Sequence, residues 1–115
     1  MSALLHSLMI ELRRGTLTLA VLSRLQAPQY GYSLVQSLEN MGISIEQSTL
    51  YPLLRRLEKQ ELVTSYWDTT ESRPRKYYVL SDYGKIIYVQ LKEEWLSSSK
   101  LMHILLEGEE EDETD

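Results

Sequence analysis

The 115-residue chain has no cysteine, which excludes disulfides, thiolate-held zinc and a thiol nucleophile. Histidine is nearly as scarce. His6 and His103 stand at opposite ends, neither has a second ligand at metal spacing, and both read as helix-surface residues. No nucleophile–base–orienter set, phosphate loop or metal cluster can be assembled, so no enzyme and no cofactor is expected. No run approaches the ~18 apolar residues of a membrane span, and the first residues lack a basic region, apolar core and small-residue cleavage site. The expected location is therefore cytoplasmic. Internal repeats and Gly/Ser linkers are also missing, which leaves one domain with, at most, an added dimerisation element.

What is present is unevenly charged. The net charge is −5, the wrong sign for a nucleic-acid binder, yet residues 107–115 hold 7 of the 17 acidic groups and no basic ones. Residues 1–106 thus carry 12 basic against 10 acidic groups, a net of +2. The acidic run by itself reads as a disordered, self-repelling tail.

Apolar residues recur at helical spacing from Leu4 to Leu25, interrupted by Arg13-Arg14-Gly15. A glycine costs a helix interior ~1 kcal/mol relative to alanine, so two helical pieces meeting near Gly15 are expected, the second stopped by Pro28. A short amphipathic helix follows over residues 33–41, with Gly42 at its exit. Residues 43–45 are a candidate brief strand. Then comes the most informative stretch, residues 48–59, in which Leu50, Leu53, Leu54 and Leu57 fall on one stripe of a helical wheel. Ser48, Pro52, Arg55 and Lys59 fall opposite, flanked by Thr49, Arg56 and Tyr51. Pro52 belongs in the first turns of a helix, which places the start near Glu46 or Gln47 with Ser44 and Gln47 spaced as a capping box.

Residues 62–67 and 76–80 are rich in β-branched and aromatic side chains and bracket the polar run 68–75, the pattern of a β-hairpin. Pro74 suits the start of its second strand. Trp67 is expected to pack in the core. From Ser81, a good N-cap, a long helix runs to about Leu106 with two apolar stripes. Tyr88, Leu91, Trp95, Ser98, Met102 and Leu105 fit heptad a and d positions, whereas Ile86, Val89, Leu96 and Ile104 form the second stripe. One stripe is available for the first helix; the heptad is left for another copy. A homodimer is expected, with Tyr88, Leu91, Trp95, Met102 and Leu105 in its interface.

The whole reads as a mainly α chain with a small β-hairpin, in the order of a winged helix-turn-helix followed by a long C-terminal dimerisation helix. The expected divisions are a DNA-binding unit over 1–80, the dimerisation helix over 81–106 and the acidic tail over 107–115. The candidate DNA-binding residues are Ser48, Thr49, Tyr51, Arg55, Arg56 and Lys59 on the third helix and Arg73, Arg75 and Lys76 on the hairpin. Arginine suits both positions, because its planar fork grips a phosphate or a guanine edge. Ser48 and Thr49 lie at the positive end of the helix dipole, where an anion is favoured.

The segments Leu12-Arg13-Arg14-Gly15-Thr16-Leu17, Tyr30-Gly31-Tyr32, Thr49-Leu50-Tyr51-Pro52-Leu53-Leu54-Arg55-Arg56-Leu57-Glu58 and Arg75-Lys76-Tyr77-Tyr78-Val79-Leu80-Ser81 come in this order. Together they resemble the PadR family of transcriptional regulators, in the small subfamily with one C-terminal helix. The resemblance covers residues 10 to about 106 and implies a homodimeric bacterial repressor of double-stranded DNA. In some members a flat apolar ligand enters the dimer interface. On that pattern Trp95, Tyr88 and Met102 are the candidate effector-binding residues. Tyr51 resembles the family's tyrosine beside the DNA backbone, with half-buried packing as the alternative. The chain departs from the pattern where a glycine commonly follows the third helix and Gln60-Glu61-Leu62 stands instead. The rival to a DNA-binding regulator is a winged-helix protein-interaction module that does not bind DNA.

Overall fold

The computed structural model describes residues 2–108 and has four helices and three short strands. In chain order these are α1 (Ala3–Ser23), β1 (Gln29–Tyr30), α2 (Gly31–Asn40), α3 (Gln47–Lys59), β2 (Val63–Asp68), β3 (Arg75–Leu80) and α4 (Asp82–Glu107). The strands form one antiparallel sheet in the order β1-β3-β2. The fold is that of a winged helix. Beyond Gly108, the expected acidic tail lies outside the described residues.

One apolar cluster holds the elements together. Val21 and Leu22 from the end of α1, and Leu25 just beyond it, meet Leu34, Val35 and Leu38 of α2, all four leucines of α3, and Val63, Tyr78 and Leu80 of the sheet. No polar or charged residue among those described is buried with them. Cross-strand pairing puts Val63 beside Leu80 and Ser65 beside Tyr78, so these side chains share the sheet face turned to α3. Thr64, Tyr66 and Asp68, opposite Val79, Tyr77 and Arg75, share the outer face.

Three expectations need correction. α1 runs unbroken through Gly15, because Ser2 caps its first turn by accepting from the Leu5 N–H at 3.1 Å and its last turns are anchored in the core. Against those two anchors the ~1 kcal/mol cost of one glycine is too small to break a helix. The third strand comes from Gln29–Tyr30, not from residues 43–45. The Ile43 N–H is already used by the Leu38 carbonyl at 2.8 Å, in a turn that Gly42 closes at φ 91°. Finally, the Ser44–Gln47 capping box does not form: Glu46 is the N-cap of α3 and makes no side-chain cap bond.

The exit of α3 reaches the geometry of a glycine without a glycine. Glu61 takes φ 64°; its N–H donates to the Glu58 carbonyl at 2.9 Å, and the Leu62 N–H donates to Leu57 at 3.0 Å. Both hydrogen bonds of a Schellman closure are therefore made, with a side chain in the left-handed region. The next joint is tighter still. The Ser81 N–H donates to the Leu62 carbonyl at 3.0 Å, Ser81 Oγ donates to the Glu61 carbonyl at 2.7 Å and also caps α4 by accepting from the Gly84 N–H at 2.8 Å. Gly84 is buried against that same Leu62 carbonyl, which a Cβ would overlap. The first turn of α4 is thus seated directly on the backbone that leaves α3.

Two substitutions test this joint by thermal unfolding. Glu61→Gly relieves the left-handed strain and raises stability by about 0.5–1 kcal/mol. Gly84→Ala forces a steric shift against backbone and lowers stability by about 1–3 kcal/mol. Equal midpoints for the two variants and the parent would contradict this account of the joint.

Candidate nucleic-acid interface

α3 presents two different faces because its apolar residues follow the helical period. Leu50, Leu53, Leu54 and Leu57 are buried, whereas Ser48, Thr49, Pro52, Arg55, Arg56 and Lys59 are exposed. Pro52 is tolerated on the outer side, where its ring meets no core. Ser48 Oγ donates to Glu46 Oε2 at 3.3 Å, a polar contact at the exposed helix start.

The two arginines diverge. Arg56 leans towards α1, where its Nη2 donates to Thr18 Oγ1 at 3.4 Å. Arg55 lies on the sheet side, near enough to act on Tyr78. Burial pushes the Tyr78 phenol above its ordinary pKa, the Glu58 carboxylate and Tyr51 push the same way, and Arg55 pulls partly back. Lys59 stands between them in the last turn, where a cation complements the helix dipole.

Tyr51 is half-buried against the core, with its ring laid over Gly31 at the start of α2. A Cβ at position 31 would overlap the Tyr51 hydroxyl. The glycine between Tyr30 and Tyr32 therefore makes room for the tyrosine of α3, fixing how α2 and α3 approach one another.

The hairpin distributes its three basic residues to three places. Arg73 is exposed in the turn over residues 69–74, ahead of Pro74. Thr70 braces that turn: its N–H and hydroxyl donate to Asp68 at 3.0 and 2.7 Å. These bonds, backbone first, hold the Asp68 carboxyl below its ordinary pKa, with desolvation opposing and Arg75 assisting. Lys76 is on the α3 side, its Nζ 5.6 Å from the Tyr78 ring centre. Arg75 points to the outer face and sits 4.6 Å above the Tyr30 ring. Lys76 is thus on the sheet face turned to α3, and Arg75 is on the opposite one.

Trp67 is a correction. It is 62% exposed rather than core, because the hairpin outruns the helices and its pair, Trp67 beside Lys76, lies beyond their cover. Outside the sheet, Tyr66 stacks on Tyr77 at 5.6 Å and Tyr30 meets the edge of Tyr77 at 5.5 Å, making a three-strand aromatic ladder. This ladder went unread in the sequence because β1 is two residues long.

On α4, Trp95, Ser98 and Met102 line a groove of about 930 Å3 with Leu12, Arg13, Thr16 and Leu17 of α1 and the turn at residues 42–44. Tyr88 is not part of it; it is half-buried against the chain's own core. Leu91 and Leu105 are exposed. Of the second stripe, Ile86, Val89 and Leu96 are exposed and Ile104 is half-buried.

Two helices joined by a short turn, a buried–exposed helix with a basic outer face and a basic two-stranded wing define a winged helix-turn-helix protein. Residues 18–90 match the Transcriptional regulator PadR-like family. A PadR family transcriptional regulator from Eggerthella lenta is 48% identical and superposes with a TM-score of 0.82 over 90% of this chain and 93% of that one. A PadR-like transcriptional regulator from Bacillus cereus is 27% identical, with a TM-score of 0.75 over 84% of this chain and 96% of its own. An uncharacterised protein of Lysinibacillus sphaericus is 32% identical over 88 residues, 73% of this chain and 81% of the relative. The chain belongs to the PadR-like family of transcriptional regulators. It is a DNA-binding regulator, not an enzyme.

The Tyr51–Gly31 contact is open to a double-mutant cycle. Gly31→Ala should cost about 1–3 kcal/mol by overpacking. In a Tyr51→Ala background the same change should cost far less, since the ring it strikes is gone. Additive losses in urea unfolding would show that the two residues are not coupled.

Proposed function

We propose that the protein is a homodimeric repressor that binds a pseudo-palindromic operator in the cytoplasm and is released by a planar apolar effector. The observation that carries the dimer is apolar surface far from the winged helix. Leu4, Leu8 and Leu12 on the outer half of α1, and Leu96, Leu101 and Leu105 on α4, are all more than half exposed. A single copy leaves both helices wet. A second copy related by a dyad buries them at ~25 cal/mol per Å2 and brings two α3 helices to one side of the assembly.

In this reading α1 joins α4 in the interface, which adds to the heptad residues Tyr88, Leu91, Trp95, Met102 and Leu105. Tyr88 contributes from its outer edge alone, since its ring packs on the core. The two α3 helices meet successive major grooves ~34 Å apart, or a multiple of it. Ser48, Thr49, Arg55, Arg56 and Lys59 face base edges and phosphates, Tyr51 props α3, and Arg73, Arg75 and Lys76 hold the flanking backbone. A dimer so placed represses by occupying the promoter.

The interface and the DNA contacts are tested together. Sedimentation at micromolar concentration should show a dimer, and footprints should show a dyad. Arg55→Ala should cost ~1–3 kcal/mol and relax one position of the site. Lys76→Ala should weaken binding to all sequences and flatten the salt slope by about 1. Monomer only, or an affinity that does not fall as salt rises, would reverse the reading in favour of a protein-interaction module.

The effector site is the groove at Trp95. Each helix gives it an apolar part, Leu12 and Leu17 from α1 and Trp95 and Met102 from α4, beside the polar Arg13, Thr16, Ser98 and His103. A flat ligand there alters the angle between α1 and α4, and shifts DNA affinity only as far as it prefers one dimer geometry. In a Trp67→Phe background, planar aromatics should quench Trp95 fluorescence and release operator DNA. No quenching by any of a panel, with Trp95→Ala merely breaking the dimer, would leave Trp95 a structural residue.

A further inference from the structure

We propose that Trp67 is a DNA-contacting residue of the wing, its indole lying on the deoxyribose rim of the flanking duplex while Lys76 beside it takes a phosphate. This rests on the DNA-binding reading and adds an apolar contact that the basic residues do not supply.

Strand register places the residue. Val63, Ser65 and Trp67 of β2 alternate onto one face of the sheet, and their partners Leu80, Tyr78 and Lys76 share it. The first row, Val63 with Leu80, is buried in the core. The second adjoins α3, since Tyr78 packs in the cluster that holds the α3 leucines and Ser65 Oγ donates to Glu58 Oε2. The third row is Trp67 with Lys76, ~7 Å further along the strand at ~3.4 Å per residue. Trp67 is therefore on the face turned to α3, one row beyond the Ser65–Glu58 contact, and 62% exposed.

The fold makes no use of this indole. The other aromatic residues of the hairpin are matched: Tyr66 stacks on Tyr77, Tyr77 meets the edge of Tyr30, and Tyr78 is buried. Among the described residues no ring stacks on Trp67 and no acceptor meets its N–H. Its position is held nonetheless. The tyrosine ladder stiffens the opposite face of the same strands, and Thr70 ties the turn to Asp68, the next residue, at 3.0 and 2.7 Å. A large ring with two rotatable bonds, carried on a braced strand, loses little conformational entropy when a partner covers it.

The neighbouring residue defines the chemistry. Directly opposed side chains of antiparallel strands start ~5 Å apart, so Trp67 and Lys76 present an apolar plate and a cation side by side. A DNA strand offers the complementary alternation of sugar and phosphate. The indole N–H adds a donor suited to the N3 and O2 acceptors of the minor groove, where apolar side chains also find a place. Because the indole neutralises no phosphate, its share of the affinity does not depend on salt, unlike that of Lys76.

The test uses the full chain and a duplex of mixed sequence, since a contact to sugar needs no operator, at ~50 to ~200 mM salt. Of the two indole N–H resonances, the one missing from Trp67→Phe belongs to Trp67. On addition of duplex it should shift, and cross-relaxation should appear between indole and deoxyribose protons. Trp67→Ala should bind about tenfold more weakly at each salt concentration, about 1.4 kcal/mol, with the salt slope of the parent. Trp67→Phe should recover most of that loss, whereas Lys76→Ala should flatten the slope by about 1. If the parent binds duplex and the Trp67 resonance stays in place, or Trp67→Ala binds as the parent does, the proposal is overturned alone. A loss of affinity in Trp67→Ala that follows a fall in its thermal midpoint, without indole–sugar cross-relaxation in the parent, makes Trp67 a structural residue and overturns it too. A parent that binds no duplex at ~50 mM salt overturns the DNA reading and this contact together.

Discussion

The structure depends on the burial of one leucine stripe. Leu50, Leu53, Leu54 and Leu57 are the buried residues of α3, and they share one apolar cluster with residues of α1, α2 and the sheet. Truncating one such buried leucine typically costs ~2–5 kcal/mol, a large part of the stability of a small domain. Because the grip is confined to one stripe, the opposite side of α3 needs no role in folding. That leaves Ser48, Thr49, Arg55, Arg56 and Lys59 on the exposed side of the helix.

A second constraint fixes where that free side points. α3 closes through Glu61, the Leu62 carbonyl receives the Ser81 N–H, and Gly84 seats α4 on the same carbonyl. Three backbone joints within one stretch connect the reading helix to the long helix. The other end of α3 is set by Tyr51 over Gly31. Helix orientation is thus controlled by backbone contacts at which a single methyl group cannot fit. A change in the direction of α4 would therefore be carried to α3 with little slack.

Charge is organised on the same plan. The overall balance of −5 suggests a protein that avoids nucleic acid, yet Arg55, Arg56 and Lys59 all lie on the exposed side of α3. The acids concentrate beyond the end of α4.

Periodicity by itself determined a great deal: the leucine stripe of α3, the hairpin, the Ser81 cap, the length of α4 and the winged-helix order were all legible, because each depends on neighbours three to seven residues away. The TLYPLLRRLE run and its companion segments carried the family. Tertiary structure decided what depends on distant backbone. It kept α1 whole through Gly15 by anchoring both ends, drew Gln29–Tyr30 into the sheet beside β3, and left Trp67 exposed near the tip of the hairpin. It also separated Arg55 from Arg56 and Lys76 from Arg75, pairs that the sequence places side by side. Adjacent residues point ~100° apart on a helix and to opposite faces of a strand, and only the packing of those elements says what each side chain meets.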